Sequence, residues 1–216
     1  RGGGGYDHFP QYARKQWGVS YHQQFIAQLF GCNLDCPYCY VTRAGVWGKY
    51  QEVTTEALWQ AFEDSGQQVF HLMGGAPAIY MKQWPELLAR IRVQSKHVFH
   101  SDLMLTEHEY DRGVLRSIRH QRALYAVNIK GTTAEEHLRL TRKPLNVQRM
   151  HTNLRALLEL EVPFYVTFTG VKPEQAERWA RFFLPYYIDW YVIDLIEYDA
   201  LPFVDEVVWG RQVKVG

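Results

Sequence analysis

Short apolar runs alternate with longer segments of helical period along most of this chain. The apolar runs have the length and the side chains of β-strands. The predicted strands are Phe25–Phe30, Val69–Met73, His97–Ser101, Leu124–Ile129, Phe164–Phe168 and Trp190–Ile196. Between them, apolar residues recur three and four positions apart, which is typical of amphipathic helices. The predicted helices are Thr55–Ser65, Pro85–Val93, Glu107–Arg119, Ala134–Leu140, Val147–Leu160 and Pro173–Leu184.

The order of these elements predicts the fold. Strands that alternate with helices are joined by right-handed crossovers, and such crossovers connect parallel strands. The predicted fold class is therefore α/β: a partial (β/α)6, TIM-like barrel with a parallel sheet and outer helices. Residues 25–199 form the predicted core domain, while 1–24 and 200–216 are predicted as N-terminal and C-terminal extensions.

Two of the predicted helices begin with the sequence Thr-x-x-Glu. In a capping box of this kind, each side chain accepts a hydrogen bond from a backbone N–H group that the helix leaves unsatisfied. Thr106 with Glu109 and Thr133 with Glu136 have this spacing. Both pairs are therefore predicted to cap helices.

Polar residues and glycines follow the predicted strands, where ligands collect in parallel α/β folds. Because the carboxyl ends of parallel strands share one edge of the sheet, we expect these residues to converge on one rim. After the second strand come Gly74, Gly75, Ala76 and Pro77; at or after the ends of the later strands come Ser101, Asp102, Asn128, Lys130, Thr167, Thr169, Asp194, Glu197 and Asp199.

The segment after the first strand contains Cys32, Cys36 and Cys39, which are the only cysteines of the 216-residue chain. Three thiolates on one short loop can hold three irons of a four-iron, four-sulfur cube, whereas a cube held entirely by protein needs four ligands. The spacing therefore predicts one [4Fe-4S] cluster with an iron left open for another ligand.

Zinc and a disulfide are the two alternatives for these cysteines. Structural zinc sites are usually built from two separated ligand pairs, and this sequence has no second pair. Three cysteines cannot all pair as disulfides. A disulfide would also require an oxidising compartment, and the sequence shows no secretory signal that would direct the chain to one. The cluster is favoured, with zinc as the main alternative.

The overall composition excludes few functions. Apolar residues make up 47% of the chain and the formal net charge is +1. No apolar stretch approaches the roughly 20 residues that a membrane-spanning helix needs. A nearly neutral chain also gives no electrostatic indication of a nucleic-acid partner.

The sequence C-x3-C-x-aromatic-C, with Tyr38 as the aromatic, resembles the signature loop of the radical S-adenosylmethionine (SAM) superfamily. The resemblance implies that Cys32, Cys36 and Cys39 bind the cluster and that SAM chelates the open iron through its amino and carboxylate groups. It also implies the chemistry: an electron from the reduced cluster cleaves SAM to methionine and a 5'-deoxyadenosyl radical, which abstracts a hydrogen atom from the substrate.

The segment Gly74-Gly75-Ala76-Pro77 resembles the Gly-Gly-Glu-Pro motif that holds the methionine amino group of SAM in this superfamily. Glycines let the backbone approach a ligand closely. Ala76 departs from the family pattern, because it has a methyl group where a carboxylate is usual. Either Asp102, next to Ser101 at the end of the third strand, takes over that contact, or the backbone carbonyls of the turn suffice, or SAM binding is weakened.

A closer resemblance is to the activating enzymes of glycyl radical enzymes, typified by the pyruvate formate-lyase activating enzyme. Their Asp-x-Lys at the end of a central strand corresponds to Asn128-Ile129-Lys130, where Lys130 offers a cation to the SAM carboxylate and Asn128 only hydrogen bonds. In those enzymes a His near the end of the final strand contacts the ribose or adenine of SAM, and Asp199 occupies about the same position in this sequence. Tyr38, together with Tyr40, is expected to lie beside the adenine.

Three functions follow from these resemblances. The first is an activating enzyme that abstracts a glycine hydrogen from a partner glycyl radical enzyme or another macromolecular substrate. The second is a radical SAM enzyme that modifies a small molecule, a nucleoside or a peptide. The third is a non-catalytic iron–sulfur protein with a degenerate SAM site. An oxygen-sensitive cluster implies a cytoplasmic setting and a flavodoxin or ferredoxin as electron donor.

Overall fold

The computed structural model describes residues 16–19, 23–39 and 46–193. Its strands are β1 (Gln24–Gln28), β2 (Val69–Met73), β3 (Val98–Leu103), β4 (Ala123–Lys130), β5 (Phe164–Thr169) and β6 (Trp190–Ile193). They form one sheet in sequence order, and every neighbouring pair is parallel. This open six-stranded sheet confirms the predicted α/β class and is consistent with a partial barrel.

Helices connect the strands. They are α1 (Thr55–Asp64), a 3₁₀ helix (Pro77–Gln83), α2 (Trp84–Leu88), α3 (Arg112–Ile118), α4 (Ala134–Thr141), α5 (Val147–Glu159) and α6 (Pro173–Phe183). The predicted bounds of β1 to β5 and of α1, α4, α5 and α6 agree with the structure to within two residues. Within the described ranges, each helix is too short or too polar to cross a lipid bilayer.

The prediction of a helix over Glu107–Arg119 was wrong in its first turn. The helix begins at Arg112, and its N-cap is Asp111, whose carboxylate accepts a hydrogen bond from Val114 N at 2.8 Å. The Thr106–Glu109 capping box is therefore wrong as well. Thr133 and Glu136 do form the predicted capping box at the start of α4.

Asn153 on α5 explains why residues before α3 form a loop. Its side-chain amide donates to Leu105 O at 2.9 Å and to His108 O at 2.7 Å, and its oxygen accepts from Tyr110 N at 2.8 Å. Asn153 is 1% exposed. Three backbone groups of the loop are thus satisfied by one buried side chain, so they need no helix.

The predicted helix Pro85–Val93 is shorter in the structure and has an unpredicted neighbour. α2 ends at Leu88, and the 3₁₀ helix Pro77–Gln83 leads directly into it. Pro77 and Pro85 each lie in the first turn of their helix, where a missing N–H costs no hydrogen bond. The connection from β2 to β3 is therefore built from two short helices.

The two faces of the sheet differ in chemistry, because successive side chains of a strand point to opposite faces. On the face packed against the helices, Phe70 and Phe99 stack with ring centroids 5.8 Å apart, and Trp84 stacks on Tyr125 at 5.7 Å. On the opposite, concave face, Val69, Val98 and Leu124 pack together. Farther along the strands, this face carries polar side chains such as His71, His100 and Asp102 beside apolar ones such as Ile26.

Candidate functional site

The cysteine loop follows β1 at the carboxyl edge of the sheet. All three thiols are free and half-buried. The loop turns tightly: Leu34 N donates to Cys32 Sγ at 3.4 Å, and Cys39 N donates to Cys36 O at 3.1 Å. The Cys36 and Cys39 thiols are close enough to Cys32 to act on it electrostatically.

Three other segments hold the cysteine loop in place. Gly31 N donates to Val46 O at 2.8 Å, and Asp35 N donates to Thr141 O, at the end of α4, at 2.9 Å. The Asn33 amide donates to Thr106 Oγ1 at 3.3 Å. The loop is therefore fixed by residues that follow β1, β3 and β4.

The turn after β2 packs directly on the backbone that enters the cysteine loop. Ala76 N donates to Gly31 O at 2.8 Å. Gly75 has a φ of +59°, and a Cβ on it would lie 2.2 Å from Gly31 O and 2.7 Å from Leu29 O. Only glycine fits here, since both the conformation and the space exclude a side chain. The two sequence motifs thus form one unit.

The thiols influence one another. Burial raises the pKa of Cys32 from 9.0 to about 11, and the neighbouring Cys36 and Cys39 raise it further, while the hydrogen bond from Leu34 opposes the rise. Burial also raises the pKa of Cys36, and the Lys130 cation opposes that rise. Without a metal, these two thiols stay protonated near neutral pH, so metal binding must release protons.

This donor set fits an iron–sulfur cluster. Three soft thiolates from one loop favour iron–sulfur clusters or zinc over hard cations. The sulfurs of Cys32 and Cys36 also pack against apolar side chains, Leu34, Ala76 and Met104. Such surroundings exclude bulk water from one side of the site.

Lys130 reaches the cysteine loop from the end of β4. Its Nζ lies 5.5 Å from the centroid of the Tyr38 ring, within cation–π distance. Burial beside the Cys36 sulfur raises the pKa of Tyr38, so this hydroxyl stays neutral. A cavity next to the loop is lined by Leu34, Asn128 and Lys130 among others. The structure therefore brings Tyr38 and Lys130 together with the thiols.

Ala76 is fully buried in the apolar cluster with Leu34 and Met104. A carboxylate that was not expected from the sequence is linked to this cluster through Met104. Glu107 accepts hydrogen bonds from Met104 N at 2.9 Å and from the Tyr110 hydroxyl at 2.8 Å. Burial raises the pKa of Glu107, and Asp102 adds to the rise. Glu107 was missed because the sequence predicted it to be the first residue of a helix.

Ser101 and Asp102 lie within β3, which continues to Leu103, and not at its end as predicted. Their side chains therefore face opposite sides of the sheet. Ser101 is completely buried on the helix side, and its hydroxyl donates to Asp102 O at 3.4 Å. Asp102 is on the concave side, with Oδ1 3.9 Å from His71 Nε2. Asp102 therefore lies beside His71 on the concave face, whereas the Ser101 side chain is on the other face, away from the thiols.

Of the remaining predicted residues, some lie in the described part of the chain and others do not. The Asn128 side-chain oxygen accepts a hydrogen bond from the Thr167 hydroxyl on the neighbouring strand. Asp194, Glu197 and Asp199, as well as Tyr40, lie outside the described residues.

Two histidines were not identified as neighbours from the sequence. His71 and His100 are 5% and 1% exposed, and their ring centroids are 4.1 Å apart. A signal was present: β2 and β3 both contain Val-Phe-His, and the two tripeptides pair in register, residue for residue. A repeated tripeptide in consecutive parallel strands predicts that like residues lie side by side.

The sequence profile of the Radical SAM superfamily matches residues 29–183 of this chain. The match begins just before the cysteine loop and runs to the end of α6. A comparison with curated proteins gives no match.

Solved structures share the fold. anSMEcpe with bound AdoMet and the Kp18Cys peptide is 13% identical, with a TM-score of 0.60 over 81% of this chain and 51% of that one. Streptococcus suis SuiB bound to S-adenosylmethionine is 12% identical, with a TM-score of 0.61 over 89% of this chain and 45% of SuiB. TYW1 with a lysine-pyruvate adduct is 12% identical, with a TM-score of 0.54 over 78% and 65%. This chain spans about half the length of the first two.

Proposed function

This chain belongs to the radical SAM superfamily, and we propose that it cleaves SAM reductively and abstracts a hydrogen atom from a peptide or protein substrate. The family uses a [4Fe-4S] cluster with three cysteine ligands, together with SAM. When bound and reduced, the cluster supplies the electron that splits SAM into methionine and a 5'-deoxyadenosyl radical. Cys32, Cys36 and Cys39 are the proposed ligands.

The observation that carries this proposal is the joint between the cysteine loop and the Gly74–Pro77 turn. The Ala76 N–H bond to Gly31 O and the close approach of Gly75 fix the turn against the loop. A ligand chelated at the loop would therefore meet the backbone of Gly74, Gly75 and Ala76 at once. Preorganisation of this kind lowers the cost of orienting a bound cofactor.

The proposed SAM contacts use the residues of the same rim. Lys130 supplies the cation for the SAM carboxylate, Tyr38 lies beside the adenine, and the turn from Gly74 to Pro77 holds the amino group through its backbone. Asn128, Asp102, Ser101 and Asp199 are kept as proposed contacts; of these, the Ser101 side chain has the least favourable position because it faces the helices.

A macromolecular substrate is proposed for two reasons. The sheet is open, and on its concave side Ile26 of the edge strand β1 is 49% exposed. In addition, structures with the same fold bind peptides: anSMEcpe is known with the Kp18Cys peptide and SuiB with its precursor peptide SuiA. The finer form of the proposal is an activating enzyme that generates a glycyl radical on a partner protein. Modification of a peptide is the second candidate, supported by the peptides bound in those structures.

We propose residues 25–199 as the radical SAM core domain, which is flanked by extensions. We also propose a reducing, cytoplasmic setting and a flavodoxin or ferredoxin as electron donor, because a solvent-accessible low-potential cluster is sensitive to oxygen.

Anaerobic reconstitution tests the core of this proposal. The protein should bind about four irons and four sulfides per chain, and reduction in the presence of SAM should yield 5'-deoxyadenosine. Cys36→Ser should lose cluster and product together while its circular dichroism stays unchanged. A single bound zinc, or a full cluster that forms no deoxyadenosine with SAM, would contradict the proposal.

Deuterium transfer separates the candidate substrates. Each candidate protein or peptide is prepared in two forms, one deuterated at its glycine α-carbons and one deuterated in its side chains, and a substrate should transfer deuterium to 5'-deoxyadenosine from the form that is labelled at the abstracted position. An activating enzyme should leave a glycyl radical that is visible by electron paramagnetic resonance in the partner. Transfer from a side chain, with no persistent radical, would favour peptide modification instead.

A further inference from the structure

We propose that His71, His100 and Asp102 form a second metal site, for one divalent first-row transition-metal ion, on the concave face below the cysteine loop. Each of these side chains offers one ligand atom, and the three atoms all lie within 4.8 Å of one another. Two imidazoles and one carboxylate are a ligand set that binds Zn²⁺ or Fe²⁺ in proteins. This site shares Asp102 with the proposed SAM contacts, whereas His71 and His100 belong to this site alone.

The parallel register of β2 and β3 builds the site. His71 is paired with His100 across the two strands, and Asp102 comes two residues after His100, so all three side chains point to the concave face. His71 Nε2 lies 3.9 Å from Asp102 Oδ1. Ligands bonded to an ion at about 2.1 Å lie roughly 3–3.5 Å apart. Closure around an ion therefore needs this pair to approach by about 0.4–0.9 Å, and a pair at the 4.8 Å limit to approach by about 1.3–1.8 Å.

Each histidine is oriented by a buried partner on the ring nitrogen away from this group. His71 Nδ1 donates to Gln24 Oε1 at 2.6 Å, which leaves the lone pair on Nε2, the atom nearest Asp102. His100 Nε2 lies 3.2 Å from the Tyr165 hydroxyl, so donation from Nε2 would leave the lone pair on Nδ1. Gln24 is 9% and Tyr165 3% exposed. Partners of this kind fix the tautomer and orientation of metal-binding histidines.

The charges also suit a cation. Asp102 contributes one negative charge. Its side chain is 26% exposed, so an ion can approach from the open concave face.

The alternative is a polar network of the two histidines, the carboxylate and their partners that holds no ion. Such a network would use the same hydrogen bonds, so only metal binding distinguishes the two. Co²⁺ is a suitable probe because it adopts zinc-like geometry and absorbs visible light.

The test uses the full chain with Cys32, Cys36 and Cys39 all replaced by serine, which removes the thiol site. Anaerobic titration with Co²⁺ should show one equivalent bound, with d–d bands in the visible and no thiolate charge-transfer band in the near ultraviolet. Proton NMR of the Co²⁺ form should show two exchangeable, strongly shifted imidazole N–H signals. Zn²⁺ should displace the cobalt.

Substitutions in that background locate the ion. His71→Ala and Asp102→Asn should each weaken Co²⁺ binding at least tenfold, whereas His151→Ala, on α5, should leave it unchanged. Asp102→Asn keeps the shape of the side chain and so guards against misfolding as the cause. Failure to bind one equivalent, or binding unchanged in His71→Ala and Asp102→Asn, would overturn the proposal.

The two proposals can fail independently. In the chain with its native cysteines, His71→Ala should still assemble the iron–sulfur cluster. Loss of cobalt binding with full iron and sulfide content therefore supports the second site without any reference to SAM cleavage.

Discussion

The two faces of the same sheet are built for different purposes. On the helix side, Phe70, Phe99 and Tyr125 are fully buried in one aromatic layer with Trp84. On the concave side, His71 and His100 stand at the positions next to those phenylalanines in the chain. β2 and β3 thus contribute alternately to a packed apolar interior and to a pair of buried histidines on the concave side.

This difference shows where the folding energy and the chemistry come from. Burial of large apolar side chains is the main stabilising term in folding. Buried polar groups contribute little net free energy and are costly when unsatisfied. The helix side should therefore determine whether the chain folds, and the concave side should determine what it binds.

Phe99→Ala is expected to have the largest effect. Removal of this fully buried ring should lower the free energy of unfolding by about 3–5 kcal/mol. Thr167→Val is the matched change on the concave side, since it keeps the shape and removes only the hydroxyl bonded to Asn128. It should cost about 1 kcal/mol or less. Urea denaturation of both variants gives the comparison, and equal losses would contradict the division between the faces.

Gly75→Ala tests the joint at the top of the concave side. Its Cβ would collide with Gly31 O, whereas Gly66 has a similar φ of +66° but nothing within 4 Å of an added Cβ. Gly66→Ala should therefore cost only the conformational strain, about 1–2 kcal/mol. Gly75→Ala should cost a further 1–3 kcal/mol, because the backbone has to move.

Iron content is the second measurement on these glycine variants. Gly75→Ala should lower cluster loading after reconstitution, and Gly66→Ala should not. The same iron content in both would show that the turn and the cysteine loop are not coupled.

Alkylation of the metal-free thiols should reveal their burial. Because the pKa of Cys32 is raised to about 11, less thiolate is present at pH 8 than in an ordinary cysteine, and the greater nucleophilicity of that thiolate offsets only part of the loss. Alkylation at pH 8 should be about tenfold slower than in the unfolded chain. The rate should rise with pH through 9 and level off above about 11. Mass spectrometry of the iodoacetamide-treated protein follows Cys32 individually, and a plateau below pH 9 would contradict the shift.

Lys130→Met should have the smallest effect of the four. Loss of the cation beside Tyr38 and the thiols should weaken SAM binding about fivefold, roughly 1 kcal/mol. Lys96→Met is the control, because Lys96 precedes β3 and lies at the opposite edge of the sheet. Equilibrium binding of SAM to the reconstituted protein measures both variants. If Lys96→Met weakened SAM binding equally, the net charge of the protein, and not the position of Lys130, would determine the affinity for SAM.

Periodicity was sufficient to predict the sheet and most helices, since each element buries one regular set of apolar residues. It failed at residues 107–111 because the loop there is held by Asn153, more than forty positions away in the sequence. A Thr-x-x-Glu pattern forms a cap only if the backbone that follows it is helical. The local sequence carries no information on the hydrogen bonds that Asn153 makes to this loop.

The cysteine loop was recognisable from the sequence because its three cysteines are close together in the chain. The pairing of His71 with His100 depends on strand register, and the position of Glu107 depends on the loop held by Asn153. Both depend on tertiary structure, although the repeated Val-Phe-His was a sequence signal for the pairing of His71 with His100. Ser101 was placed at the strand end because β3 was predicted two residues too short.

The contact between Gly75 and the backbone at Gly31 packs together two segments that belong to different strand–helix units, so that neither can shift without the other. Lengthening either segment by one residue would pull the thiols and the glycines out of alignment. A designer who transfers these two segments into another barrel would therefore have to move residues 29–39 and 74–77 together, with the spacing between the two strands preserved.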